Sequence, residues 1–220
     1  MPSFAAAASR PAGLPQTPDE MLRALFAHAM LRTYPKNALL VAEGERNPDA
    51  IFLIQTGRVK LFLSSAEGKE VDLEVLEPGD YFGEMEIDDG PVTASALAME
   101  RTQLLVIRRS EYKAFVCDHA NIAMQFIFKL IARNRRLLKS VKSLALLDVS
   151  ERVARLLLDM ATEEDGKLVI TEKLSKRDIA NRVGATREMA SRVFKELVSS
   201  GYIRLEQRQI TIAKRLPQHW

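Results

Sequence analysis

From Leu39 to Ile107 the chain alternates short apolar runs with turn residues. The runs are Leu39–Ala42, Ala50–Gln55, Val59–Ser64, Val71–Leu76 and, in two pieces, Ser95–Ile107. Glu43-Gly44, Thr56-Gly57, Glu67-Gly68 and Pro78-Gly79 separate them. Runs of this length bounded by glycine turns predict strands, and many short strands at regular spacing predict an antiparallel roll or barrel. Ahead of them, Met21, Leu22, Leu25, Phe26 and Met30 recur at helical spacing behind Asp19 and Glu20. That predicts a helix from Thr17 to about Leu31, ended by Tyr34-Pro35 because proline disfavours helical geometry in the residue before it.

The period changes after Ile107. Ser110 to Val116 reads as a short helix, and Asn121 to Leu147 as one long helical stretch. Within the long stretch Ile127, Leu130, Asn134, Leu137, Val141 and Leu144 alternate spacings of three and four. This is the seam of a two-stranded coiled coil over about three heptads, so the helix is expected to pair with a second copy of itself, Asn134 fixing a parallel register. An ordinary core helix would show a broader apolar face, whereas Arg133, Arg135, Arg136, Lys139 and Lys142 flank this one.

The last third predicts a different domain. Ser150 is placed to cap a helix carrying Val153, Leu156, Leu157 and Met160, and Gly166 precedes a short strand, Leu168–Ile170. Two helices follow, Ser175–Val183 and Thr186–Ser199, separated by Gly184-Ala185. Small Ala180, a glycine in the turn, and a shared apolar face of Ile179, Val183, Met189 and Val193 make a helix-turn-helix. Thr186 caps the second helix, and Arg187, Glu188, Ser191 and Arg192 project from its other face near the N-terminus, the end that enters the major groove in this motif. Arginine grips guanine through O6 and N7, and a carboxylate accepts from cytosine N4. Arg177, Thr186 and Lys195 are candidates for the DNA backbone, with Arg182 either a further phosphate contact or a solvated charge. A final hairpin, Tyr202–Leu205 and Gln209–Ile212, supplies a wing. A helical hairpin with a solvated charged face is the plainer alternative.

Charge sharpens this picture. Residues 1–128 hold 12 basic and 18 acidic residues, a balance of −6; residues 129–149 hold 6 and 1, or +5; residues 150–220 hold 14 and 10, or +4. Only the back of the chain is suited to a polyanion. At 220 residues, 47% hydrophobic and 28% charged, the composition fits two modest globular domains. One cysteine, Cys117, excludes an internal disulfide and a four-thiolate iron–sulfur cluster, and it is expected to be a small, buried or indifferent residue. Lone His28 and His119 offer no convincing haem ligands. No glycine phosphate loop, histidine-rich metal pattern or nucleophile–base pair is present, so neither an enzyme nor a metal site is expected. Met1 to Pro18 is rich in Ala, Pro and Ser without a basic start and apolar block, which reads as a flexible leader in a cytoplasmic protein; no run is long enough to span a membrane.

In their order, these pieces resemble the cyclic-AMP receptor / fumarate-nitrate regulator family of bacterial transcription factors, from about Phe26 to Ile212. The resemblance is carried by the roll glycines, by Pro78-Gly79-Asp80-Tyr81-Phe82-Gly83-Glu84-Met85, by the long helix ending in Leu147-Asp148-Val149, and by the Thr-Arg-Glu start of the second helix. It implies an α+β fold with an N-terminal double-stranded β-helix (jelly-roll) effector domain, a long dimerisation helix and a C-terminal winged helix-turn-helix. The expected division is a leader at 1–18, the roll at 19–120, the dimer helix at 121–147 and the DNA-binding domain at 148–220. Implied partners are double-stranded DNA, a second copy of the chain and RNA polymerase. Arg187, Glu188 and Arg192 match the TGTGA-reading branch, while Glu188, Ser191 and Arg192 also fit the TTGAT-reading branch; TGA is common to both.

The resemblance weakens at the effector pocket. It implies that Gly83, Glu84, Met85, Val92 and Thr93 line the pocket, with Gly-Glu for ribose hydroxyls and an Arg-Ser or Arg-Thr pair for a cyclic phosphate. That pair falls on Val92-Thr93 or, counted directly from Gly-Glu, on Ala94-Ser95, and neither register supplies the arginine. Adenine contacts would fall on Leu137 and Leu138. The acidic cluster Glu84, Glu86, Asp88 and Asp89 would repel a phosphate unless an arginine reached in. Ordinary cyclic-AMP binding is therefore not expected. Cyclic di-GMP is favoured over it, held by some of Arg101, Arg108, Arg109, Arg133, Arg135 and Arg136, and an effector-independent regulator stands beside that. A cyclic-nucleotide-binding regulatory subunit without a DNA role is a further alternative, one with no use for the helix-turn-helix and wing.

Overall fold

The computed structural model describes residue 25 and residues 29–216 other than 47, 165, 173, 207, 208 and 215. Eight strands come first among them: β1 (Met30–Tyr34), β2 (Leu39–Val41), β3 (Ala50–Thr56), β4 (Val59–Ser64), β5 (Glu70–Leu76), β6 (Tyr81–Phe82), β7 (Ser95–Ala98) and β8 (Thr102–Arg108). They form two antiparallel four-stranded sheets, ordered β1-β8-β3-β6 and β2-β7-β4-β5. Strand β3 shows how the layers stack, because successive side chains point to opposite faces. Phe52 and Ile54 meet Val59, Leu61, Leu76, Phe82, Ala96 and Leu104 inside the roll. Ile51 and Leu53 face outward, where helix α1 (Arg109–Asp118) and the long helix α2 (Ala120–Leu146) cover them with Tyr112, Ile122 and Phe126.

The second domain packs helices α3 (Val149–Met160), α4 (Lys176–Val183) and α5 (Arg187–Ser199) on a sheet ordered β11-β12-β10-β9. Its strands are β9 (Thr162–Glu164), β10 (Lys167–Ile170), β11 (Ile203–Glu206) and β12 (Gln209–Ile212). Val153, Leu157, Ile170, Ile179, Ala190, Leu197 and Ile203 fill the core between helices and sheet.

Several expectations are corrected. Met30 and Leu31 are not the end of a helix but the start of β1, paired with Val106 and Leu105 of β8; a strand edge was available there, and ladder hydrogen bonds outweighed the helical spacing. Leu25 is helical and buried; the rest of the 17–28 helix and the 1–18 leader lie outside the described residues. Ser150 does not cap α3. Asp148 does, in a reciprocal box in which the Glu151 N–H donates to Asp148 Oδ1 at 2.8 Å and the Asp148 N–H to Glu151 Oε2 at 3.0 Å. Met189 is exposed and Ala190 takes its place in the core, since positions 190, 193, 194 and 197 share one helical face. Cys117 is exposed. Strands β6 and β9 were not anticipated.

Candidate functional site

The helix-turn-helix is built by its caps. Ser175 Oγ accepts from the Asp178 N–H at 3.1 Å while Asp178 Oδ2 accepts from the Ser175 N–H at 2.8 Å, which starts α4. Gly184 ends it in the left-handed region (φ 59°, ψ 46°). Thr186 then starts α5, its Oγ1 accepting from the Met189 N–H at 3.3 Å. The first two turns of α5 leave Arg187, Glu188 and Arg192 exposed, with Ser191 half-buried beside them and Lys195 exposed further on. One face of this helix is therefore locked into the core, and the other presents two guanidiniums, a carboxylate and a hydroxyl to solvent.

Of the cations placed as backbone contacts, Arg177 reaches back to the roll, its Nη2 3.3 Å from Glu70 Oε1 on β5. Asn181 Nδ2 donates to the other oxygen of Glu70 at 2.8 Å. Arg182 is paired with Glu172 at 2.7 Å and is half-buried. Lys176 lies 3.0 Å from the centroid of the Phe194 ring; burial, and the neighbouring Lys195, lower its pKa. Arg177 and Lys195 are thus exposed beside the solvent face of α5.

The second site lies inside the roll. Gly83, Glu84, Met85, Val92 and Thr93 do come together, around a cavity of about 30 Å³ that Phe52, Phe82, Glu86 and Arg133 also line. Gly83 has φ 91°, and a Cβ there would stand 2.7 Å from the Ala50 carbonyl oxygen; only glycine lets the chain pass so close to β3. The Phe52 and Phe82 rings stack with centroids 4.7 Å apart. Drug-sized ligands need about 300 Å³ or more, whereas this cavity has room for about one water.

An arginine does reach in, from α2. Arg133 pairs with Glu84, pairs with Glu74 at 3.1 Å and donates to the Tyr81 carbonyl at 3.2 Å. Glu74 also holds Arg136 at 2.6 Å. Sequence reasoning placed Arg133 on the flank of the seam; its position two turns beyond buried Phe126 was the signal that it faces the roll. Glu84 is 5% exposed and its Oε2 finds no partner among the described residues. Burial pushes its pKa up, against the pull of Arg133. Arg109 is likewise not a surface cation: it is buried, paired with Asp49 at 3.0 Å and Asp89 at 2.9 Å, and donates to the Glu86 carbonyl at 2.7 Å. Arg108 pairs with Glu111 at 3.0 Å, while Arg101 and Arg135 are exposed.

Along α2, Ile127, Leu130, Asn134, Val141 and Leu144 are exposed and Leu137 is half-buried. Leu144 of this stripe also touches the turn of the helix-turn-helix at Gly184.

A family described as cyclic nucleotide-binding domain matches residues 31–119, and one described as Crp-like helix-turn-helix domain matches residues 151–215. The chain is 33% identical over 185 residues, 82% of both chains, to a CRP-like cAMP-activated global transcriptional regulator of Mycobacterium tuberculosis. The chain belongs to the Crp/Fnr family. It is also 27% identical over 208 residues to the cAMP-activated global transcriptional regulator CRP of Salmonella typhimurium, covering 91% of this chain and 97% of that one. Among solved structures, the c-di-GMP responsive global regulator CLP of Xanthomonas campestris superposes with a TM-score of 0.77 at 20% identity, over 89% of this chain and 99% of that one. FixK2 from Bradyrhizobium japonicum gives 0.69 at 24% identity, over 85% and 93%. As a Crp/Fnr protein the chain is a transcriptional regulator with a DNA-binding helix-turn-helix, and its domains are not those of an enzyme. No single helix among the described residues is long and apolar enough to cross a membrane.

Proposed function

We propose that this Crp/Fnr regulator works as a homodimer that reads inverted half-sites containing TGA, and that ordinary cyclic AMP is not its effector. The observation that carries the DNA reading is the start of α5: Thr186 caps it, while Arg187, Glu188 and, one turn on, Arg192 stand exposed and unobstructed by the core. Arginine at the N-terminal end of a recognition helix grips guanine, and the neighbouring carboxylate accepts from cytosine on the paired strand. Arg177, Thr186 and Lys195 are the backbone contacts in this reading, Arg177 exchanging Glu70 for a phosphate and Thr186 donating the hydroxyl hydrogen that its cap leaves free.

Against cyclic AMP stand the volume of the roll pocket, the apolar Val92 where a phosphate would need a guanidinium, and an Arg133 already engaged by Glu74 and Glu84. A pocket this small leaves a dianion such as cyclic di-GMP only the outer cations, among them exposed Arg101 and Arg135. Likeness in fold to a c-di-GMP responsive regulator keeps that ligand as the second reading.

The test is fluorescence anisotropy at fixed salt on a duplex with two inverted TGTGA half-sites and on a scrambled one. Cyclic AMP is expected to leave the affinity unchanged, and Arg187→Ala to weaken the specific duplex by about 5- to 150-fold, the equivalent of about 1–3 kcal/mol, while hardly touching the scrambled one. Equal loss on both duplexes would remove Arg187 from base reading, and specific binding that appears only with cyclic AMP would overturn the effector reading. A response to cyclic di-GMP alone selects the second reading.

A further inference from the structure

Two hydrogen-bond donors converge on one point in the roll pocket. The Thr93 N–H and the Thr93 hydroxyl both donate to Glu86 Oε1, at 2.9 and 2.8 Å. Glu86 is 6% exposed. Its main chain is fixed from behind, because its carbonyl accepts from Arg109, which Asp49 and Asp89 hold in turn. Thr93 is fixed as well, since the neighbouring Val92 exchanges hydrogen bonds with the 44–45 turn: its N–H donates to the Glu45 carbonyl at 3.0 Å and its carbonyl accepts from the Gly44 N–H at 2.8 Å. Thr93 itself is exposed, yet its backbone N–H and hydroxyl are held on a common focus at the edge of the pocket, and two such donors form a cradle for an oxyanion, whatever molecule supplies it. In this chain the protein supplies it.

The charge count of the cavity points the same way. Its lining carries two carboxylates, Glu84 and Glu86, and one guanidinium, Arg133. An incoming anion would find both Thr93 donors occupied and a net negative wall at short range.

We infer that Glu86 is a built-in anion: it occupies the oxyanion cradle of Thr93, and an external anion gains that cradle only when the Glu86 carboxylate is removed. Glu86 is then the residue that sets the pocket's specificity against phosphate-bearing ligands. This deepens the reading of the pocket given above and rests on it.

The test is thermal unfolding of the full chain with acetate as the probe, ionic strength being held constant with chloride. Glu86→Ala vacates the focus while leaving both donors in place. Acetate is expected to raise the Tm of Glu86→Ala by about 2–4 °C, and to leave both the native chain and Glu86→Ala/Thr93→Val unmoved. Acetate shifting all three alike, or none, overturns the assignment. Should Glu86→Ala fail to fold, Glu86→Gln and Glu86→Met decide the matter. Glutamine keeps an acceptor for Thr93 and methionine has the length without it, so the Met variant is expected to melt clearly below the Gln variant, and equal Tm values overturn the assignment. Calorimetry of the native chain with cyclic AMP separates the two claims: tight binding there overturns the effector reading, whereas absent acetate rescue overturns the role of Glu86 alone.

Discussion

Glu84 holds its charge almost out of water, against the guanidinium of Arg133 and with Oε2 unsatisfied among the described residues. Desolvation dominates and Glu86 and Glu74 add repulsion, so its pKa lies above the ordinary 4.5 despite Arg133. The sign of the consequence follows from linkage. Between the raised folded value and the ordinary unfolded one, the folded chain binds more protons, so stability rises as pH falls through that window and levels off below it. Glu84→Gln removes this group from the balance. The native chain is therefore expected to gain urea stability relative to Glu84→Gln as the pH drops from 7 towards about 4.5. A difference between the two that does not change with pH would mean that Glu84 titrates as an exposed carboxylate does. Asp72, also raised chiefly by burial, cancels in that comparison because both proteins keep it.

The roll and the helix-turn-helix meet at the turn of Gly184. Its φ of 59° suits glycine, and a Cβ there would lie 2.7 Å from Leu144 Cδ2 and 3.8 Å from Val71 Cγ2. The turn thus rests on both α2 and β5. Gly184→Ala is expected to cost about 1–3 kcal/mol of stability, read as a lower urea midpoint of the full chain, and a midpoint within error of the native one would show that the turn gives way without strain. The glycine itself was plain in the sequence, as were β4, whose bounds are as expected, and the α4–α5 pair, because those features depend on neighbours within a few residues. What failed depended on distant partners. Met30 and Leu31 follow a helical spacing but are claimed by β8, and Tyr81-Phe82 is too short to show a period and becomes a strand only through Phe52 and Leu53. At α3 the expected cap Ser150 gives way to Asp148, because Glu151 lies three residues on from Asp148 to complete the box. Arg133 and Glu86 were in view as charges, but what they hold is 49 and 7 residues away along the chain, and no spacing rule encodes the first of these.

On the scale of the whole molecule, the exposed apolar stripe of α2 calls for a partner. Val141 is 61% exposed in the single chain, in line with Leu130, Leu137 and Leu144. In the dimer proposed here, Val141→Asp buries two facing carboxylates without counterions, a cost of about 3 kcal/mol or more, so the dimer dissociation constant is expected to rise at least a hundredfold. Analytical ultracentrifugation at micromolar concentration checks this, and an unchanged dimer would place the interface elsewhere. Helix α2 spans 27 residues, from the roll to the capping box of α3. Arg133 pins it to the roll near its middle, and from there to Leu146 the helix runs about 20 Å without a break. Such a rod is a lever with its fulcrum at the pocket: a tilt of about 5° at Arg133 carries its far end through about 2 Å. In the dimer proposed here the spacing of the two recognition helices follows the tilt of this rod, which Arg133 and Arg136 seat on Glu84 and Glu74, so a change too small to alter any strand of the roll would move them into or out of step with the turn of a double helix.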